Sequence, residues 1–430
     1  MQVLLPDKIS LLTVDINKGV DFLKVGIESI NVYTGAASID IDLIINNRQL
    51  DPSRKKNIMV NKKSVALPCE DVVTNAVNAA KPIVDALGEE KDSIELVIVS
   101  SESGIDFGKS ITSYVHKHLG ITNNCRIFEI KQACFGCTAA VNLAAAYIAS
   151  GIGRNSKVLI ISSDSARPTI ARTYSEPTQS TGAVALLMSS KPDILELDVG
   201  AFGNYCFEVM DTFRPKPDFE FGNPDASLLA YLDCLEGCIN NYKRKVADVD
   251  IKTTFDYLIF HAPFGGMVKG AHRKLMKKYL GSAAEIEEDF KTRTLPSLKY
   301  CMKVGNLYAA TVYLGLISLI ENVNLNTPKR VGMYSYGSGC SSEFFSGVVT
   351  NMSKDKLSKM KVKERLDSRY ALDFPTYEKL LELNKGWGFG IENKKVDISE
   401  ISWLYDICLK DRGLLVLDEI KDYKRIYKWS

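Results

Sequence analysis

A thiol, a carboxylate and an imidazole stand in this sequence where apolar runs give way to small-residue loops, a placement that suits nucleophilic attack with proton transfer beside it. The thiol is Cys134, within CRIFEIKQACFGCTAAVNLAAAYIASG from Cys125 to Gly151. Ile127, Phe128 and Ile130 read as a strand before it, and the run from Thr138 to Ser150 reads as a helix, small or apolar all round and buried in a large core. A cysteine in the first turn of such a helix faces unpaired amides and the positive end of the helix dipole, which favour thiolate. A buried structural thiol is an equally open reading.

Glu102 ends the apolar strand IELVIVSSES and lies in the loop SSESGIDFGKS. If enclosed there, its carboxyl is raised by desolvation and suited to give and take a proton near neutrality; a solvated turn is the alternative. His261 follows YLIF before a glycine-rich loop, where a lone histidine is often structural. His116 and His118 read as a solvated helix end, and His272, among Arg273, Lys274, Lys277 and Lys278, as the same or as part of a basic rim. YGSG from Tyr336 to Gly339 could turn successive amides, those of Gly337 and Ser338 among them, toward an oxyanion, or form a tight structural turn.

Cys134 and Cys137 form a C-x-x-C, but the other close pair, Cys234 and Cys238, is about a hundred residues away and no histidine is near either. Neither a metal site nor a thioredoxin-like role fits that arrangement, and Cys137 reads as a packing residue.

The elements that must position these groups recur. Strands IELVIVSS, KVLIISSDS and TGAVALLMSS surround the cysteine segment, and FDYLIF, the apolar helix after Gly305 and Asn306, and RVGMYSYGSG repeat the order. Glu102 precedes Cys134 by 32 positions and His261 precedes Asn306 by 45; Asp164 and Gly337 follow by 30 and 31. The pattern predicts two related α/β halves about a pseudo-twofold axis, their apolar helices buried between the sheets and their functional loops converging at strand ends. The charged segment Ser353 to Tyr370 reads as a solvated connector, and the last sixty residues as packing on the second half.

A chain of 430 residues with formal charge +2 has apolar content for a deep core and no electrostatic reason to bind nucleic acid. It has no run of about 18 apolar residues that would span a membrane. Met1 to Lys18 lacks a secretory pattern, and ten scattered cysteines suit a reducing cytoplasm.

Together these segments resemble the 3-hydroxy-3-methylglutaryl-CoA synthase family of the thiolase superfamily. VALPCEDVVTNAVNAAKP at Val65, SESGIDFGKS at Ser101, FEIKQACFGCT at Phe128, HAPFGGMVKGAHRK at His261, VGNLY at Val304 and SYGSGCSSEFFSG at Ser335 carry the resemblance. MDTFRPKPD at Met210, YLDCLEGC at Tyr231 and GGMVKGAHRK at Gly265 look most like the stand-alone synthases of polyketide β-branching cassettes. The resemblance implies a five-layer αβαβα fold, with an N-terminal half at 19–195 and a C-terminal half with an extension at 196–430. It implies that Cys134 carries an acetyl group, Glu102 acts as base and then acid, and His261 orients the acceptor thioester. Asn306, Tyr308, Gly337, Ser338 and Lys269 match substrate-binding positions. No cofactor is bound; the acyl groups ride on phosphopantetheine of donor and acceptor acyl carrier proteins, or on CoA, and the enzyme is a homodimer.

Mevalonate-type relatives carry lysine five positions after the histidine, near the CoA phosphates; here that position is Gly266. Phe135 stands where many relatives have Tyr, Cys137 where Gly or Ala is common, and Ala166 to Ser180 is short. The mevalonate-pathway synthase using acetyl-CoA and acetoacetyl-CoA is the alternative reading. The basic residues Arg54, Lys55, Lys56, Lys62, Lys63, Lys269, Arg273 and Lys274 could face an acidic carrier protein.

Overall fold

The computed structural model describes residues 24–152, 156–216, 219–386 and 388–430, with the backbone of Val3–Leu4. Otherwise the segment Met1 to Lys18, and residues 19–23 of the expected first half, lie outside the described residues.

In chain order the elements that build the site are β1 (Gly26–Tyr33), α1 (Val72–Leu87), β2 (Ile94–Ser100), β3 (Arg126–Ile130), α2 (Gly136–Ala149), β4 (Lys157–Ser165), β5 (Thr181–Ser189), β6 (Leu195–Cys206), α3 (Pro224–Lys245), β7 (Tyr257–Phe260), α4 (Thr311–Asn322), β8 (Lys329–Gly337) and β9 (Ser341–Val349). The nine strands hydrogen-bond in the order β7-β8-β9-β6-β1-β5-β4-β2-β3.

The repeat is visible in the strand directions. In the first half β1 and β5 are antiparallel, β5 and β4 antiparallel, and β4 and β2 parallel. In the second half β6 and β9, β9 and β8, and β8 and β7 repeat that sequence of directions. The halves join where Gly26 and Ile27 pair with Glu196 and Leu195. Among the described residues the second half has no counterpart of β3.

Apolar residues on both sides of the strands follow from helices on both faces. Ile98, Ile160 and Leu186 pack toward α2, while Val97, Val99, Leu159 and Leu187 pack toward α1. Asp71 caps α1 in a reciprocal capping box with Thr74, satisfying amides the helix cannot satisfy itself. Helix α3 covers β6 and β9, and α4 contacts β7 and β8 of its own half and β1 of the other. Thus α2 and α4 form the central layer of five. They meet directly: Thr138 Oγ1 lies 3.2 Å from the Tyr313 hydroxyl and donates to Ser335 Oγ at 2.9 Å.

Four expectations are corrected here. Helix α2 is not buried all round: Leu143 is 51% exposed, and β3, at the sheet edge, leaves Ile127 and Phe128 each 38% exposed. The last sixty residues pack chiefly on the first half, where Tyr370–Leu372 pairs in parallel with Ala37–Asp40 and Leu415 exchanges hydrogen bonds with Asn78. The charged connector is anchored as well as solvated, because Arg365 donates to Asn31 Oδ1 and Arg369 to Ser64 Oγ and the Lys303 carbonyl. His272 is wholly buried, its Nε2 2.7 Å from Asp289 Oδ2, because its face of the helix Gly265–Met276 packs inward.

Candidate active site

Cys134 lies in a three-residue turn, Ala133–Phe135, that leads into α2, and an equivalent turn, Tyr308–Ala310, leads into α4. Each turn begins with a residue at positive φ, Ala133 at 42° and Tyr308 at 55°. A left-handed non-glycine residue costs about 1 kcal/mol or more and persists where the surroundings impose it. The matched turns make Ala309 the counterpart of Cys134, rather than the Asn306 suggested by spacing. The second half has kept the bend and lost the thiol.

The Cys134 thiol donates to Glu102 Oε1 at 3.1 Å. Burial and the adjacent carboxylate push the thiol well above its ordinary range, while burial raises Glu102. The expected thiolate is therefore corrected: desolvation and the neighbouring Glu102 carboxyl outweigh the helix dipole and favour the thiol. Cys137, at 0% exposure, is a core side chain.

Two residues that sequence reasoning did not single out as catalytic hold the Glu102 loop. Asp164 Oδ1 accepts from Ser101 Oγ at 3.2 Å, Glu102 N at 2.9 Å and Ser103 Oγ at 2.9 Å. Burial and Glu102 push this carboxyl up to about 7. Arg214 Nη1 donates to the Glu102 carbonyl at 2.7 Å. Asp164 is visible only as a marker of the repeat; Arg214 falls within the MDTFRPKPD passage that carries the resemblance, but at 112 positions from Glu102 nothing local ties it to that loop.

His261 is buried one residue beyond β7. Its Nδ1 lies 2.7 Å from Thr311 Oγ1, and that hydroxyl donates to the Tyr308 carbonyl. With the threonine proton so used, Nδ1–H is the donor and Nε2 carries the lone pair. Burial lowers the imidazole to about 3, so it is neutral.

Asn306 Oδ1 accepts from Tyr308 N at 2.8 Å, and the buried Tyr308 hydroxyl donates to Gln179 Oε1 at 3.1 Å. Gly337 brings the second half onto the Cys134 turn: a Cβ there would stand 2.4 Å from Phe135 N and 2.8 Å from Gln132 O. Ser338 follows, half-buried. The Gly339 amide is taken by Asp211 Oδ1 and the Phe135 amide by the Gln132 carbonyl, so neither serves an oxyanion. Lys269 is not drawn into this cluster; its half-exposed ammonium pairs with Glu287 at 2.9 Å. Among the described residues no group of three or more His, Cys, Asp or Glu is arranged to hold a metal ion.

Two repeated α/β halves with a partly buried thiol lodged between them place the protein among the thiolase-like acyl-condensing enzymes. The profile "Hydroxymethylglutaryl-coenzyme A synthase N terminal" matches residues 23–193, and its C-terminal counterpart matches residues 272–400. The chain belongs to the hydroxymethylglutaryl-CoA synthase family. It is 45% identical to the polyketide biosynthesis 3-hydroxy-3-methylglutaryl-ACP synthase PksG of Bacillus subtilis, covering 94% of this chain and 99% of that protein. It is 33% identical to the hydroxymethylglutaryl-CoA synthase of Enterococcus faecalis, over 83% of this chain and 91% of that one. The crystal structure of the curacin biosynthetic pathway HMG synthase superposes with a TM-score of 0.91 at 46% identity, covering 95% of this chain and all of the other. That synthase has also been solved with apo, holo and acetyl donor-ACP.

Proposed function

We propose that the protein is a polyketide β-branching HMG synthase, and the observation that carries the chemistry is the partly buried Cys134 Sγ to Glu102 Oε1 contact of 3.1 Å. Cys134 attacks the acetyl thioester of a donor carrier protein; its sulfur bonds to the acyl carbon, the donor C–S bond breaks, and the proton leaves with the departing thiol. Glu102 takes a proton from the acetyl methyl, the new carbanion attacks the β-ketone of an acceptor thioester, and Glu102 returns the proton to the alkoxide. His261, Asn306, Tyr308 and Ser338 orient the acceptor, and the Cys134 and Ser338 amides stabilise the oxyanions. Water then hydrolyses the Cys134 thioester, releasing a 3-hydroxy-3-carboxymethyl acyl chain.

Identity to PksG and to the curacin synthase, higher than to the CoA-dependent relative, supports a carrier protein as donor. Gly266 supports it independently. A Cβ at this position would stand 1.7 Å from the Asn57 carbonyl oxygen, so the backbone of the last turn of the helix Ser53–Ile58 occupies the space a phosphate-binding lysine would need. That helix packs on Gly265–Met276, the helix that carries Lys269, Arg273 and Lys274, and these basic residues are the surface we assign to an acidic partner. Lys63 is excluded from it: the side chain is buried and donates to the Glu176 carbonyl.

We also take the enzyme as a cytoplasmic homodimer, its halves divided at 19–195 and 196–430. Edge strand β3 with Ile127 and Phe128, beside Leu143 on α2, is the apolar surface that would meet the second copy. The test of function is intact-mass analysis with acetyl carrier protein and with acetyl-CoA. Wild type gains one acetyl group faster from the carrier protein and Cys134→Ala gains none; faster acetylation from CoA would favour the mevalonate-type activity.

A further inference from the structure

The hairpin Thr212–Lys216 and Phe219–Gly222 carries Arg214 from the second half to the Glu102 loop of the first. The guanidinium is fixed on several sides. Nη1 donates to the Glu102 carbonyl at 2.7 Å, and Nε to Glu220 Oε2 at 2.8 Å. Its carbon lies 5.2 Å from the Tyr308 ring centroid. Glu220 is held in turn by the side-chain amide of Gln179, whose oxygen accepts from the Tyr308 hydroxyl.

One nitrogen is left over. Nη2 lies 2.7 Å from Glu220 Oε2 without the alignment of a hydrogen bond, is fully buried, and stands 3.9 Å from Glu102 Oε2. A buried N–H without an aligned acceptor is costly, so this one is ready to take a new partner. The partner's need arises during turnover. In the resting enzyme the Cys134 thiol donates to Glu102, but an acylated sulfur has no proton to donate. Glu102 thus loses this donor at the stage when it must be a base.

We propose that Arg214 is a positioning residue that takes hold of the Glu102 carboxylate once Cys134 is acylated, replacing the thiol as donor and keeping the carboxylate ionised for proton abstraction. The surrounding charges show why a cation is needed. Glu102 is faced by Cys134 from the nucleophile turn, Asp164 from β4, Glu220 and Asp211 from the hairpin region, and Tyr308 from the turn before α4. Burial and the acids oppose ionisation, and Arg214 opposes them. When Glu102 takes the methyl proton its charge is neutralised and the contact with Nη2 weakens, freeing the proton for the alkoxide.

This inference rests on Cys134 as acyl carrier and Glu102 as base, and a single-turnover comparison separates the two claims. In Arg214→Met, acetylation of Cys134 by acetyl carrier protein stays within about threefold of wild type, while condensation with an acetoacetyl carrier protein falls by about a hundredfold at pH 7. The deficit narrows as pH rises, because a higher pH ionises Glu102 without its cation, and Arg214→Lys recovers at least about tenfold of the loss. Equal slowing of both steps with an unshifted pH profile would make Arg214 merely structural and overturn the proposal, as would unchanged condensation. If Arg214→Met does not fold, the pH profile of Arg214→Lys decides: an alkaline shift of its acid limb supports the role, and a superimposable profile refutes it. Failure of wild type to acquire an acetyl group would overturn the underlying assignment instead.

Discussion

Gly337 rests against the backbone of Phe135 so closely that a Cβ would stand 2.4 Å from the Phe135 nitrogen. The last residue of β8 therefore sets the height of the nucleophile turn from the opposite half. Gly337→Ala is expected to push that turn aside, costing about 1–3 kcal/mol of stability. Acetylation of Cys134 should slow at least about tenfold, a misplaced-nucleophile effect. Denaturant unfolding and rapid-quench mass analysis measure the two; unchanged acetylation would show that the turn tolerates the displacement.

Glu102→Gln keeps the side-chain shape but cannot accept the methyl proton. Condensation should fall by about 10²–10⁴. The same substitution removes a negative charge that raises the Cys134 thiol, so the thiol titrates lower than in wild type and reacts faster with iodoacetamide at pH 8. Slower alkylation than wild type would mean that the carboxylate activates the thiol rather than suppressing its ionisation.

His261 makes stability fall on acidification. Its folded-state value is lowered to about 3 from the ordinary 6.5, so below 6.5 the unfolded chain binds a proton that the folded chain refuses. This contribution is fully present above 6.5 and is lost progressively as pH drops toward 3. The melting temperature of wild type should decline between pH 7 and pH 5 more steeply than that of His261→Asn. Parallel declines would place the acid sensitivity elsewhere.

Gly266→Lys does not convert the protein to CoA use. Because Asn57 backbone fills the position, the substitution is expected to destabilise by about 1–3 kcal/mol. A folded variant with enhanced acetylation from acetyl-CoA would contradict this steric account.

The exposed β3 edge gives an assembly prediction. Combining Ile127→Lys with Leu143→Glu puts charge on the apolar surface proposed to meet a second copy, and light scattering should find a shift from dimer to monomer. An unaltered mass would move the interface off this edge.

Much of the candidate site is legible because its signals are local. Apolar runs mark strands, small residues mark the loops after them, and the repeated order predicts converging ends, which the structure bears out for Glu102 and Cys134 in their hydrogen bond. The parts that were not legible depend on distant partners. Arg214 enters the sequence reading only within MDTFRPKPD, with no partner indicated, and only the fold brings it to Glu102. The pairing of Tyr370–Leu372 with Ala37–Asp40 spans more than three hundred residues and leaves no periodic trace. Helix α2 carried a uniform apolar signal that does not separate a face buried in its own chain from one left exposed at its surface. The thiol's protonation escapes the sequence for a similar reason: a helix terminus is visible there, whereas the desolvation that outweighs it is not.

The attachment of the final segment to the first half also has a consequence for synthesis on the ribosome. Asn78 of α1 waits for Leu415, and Asp71 at the head of that helix waits for Arg425 and Tyr427. The amino-terminal half, although translated early, therefore emerges with one flank uncovered and cannot complete its packing until almost the whole chain has been made. Such long-range closure is slow and leaves partly formed surface open to aggregation. Truncation near the carboxyl terminus should therefore compromise the amino-terminal scaffold that bears the nucleophile.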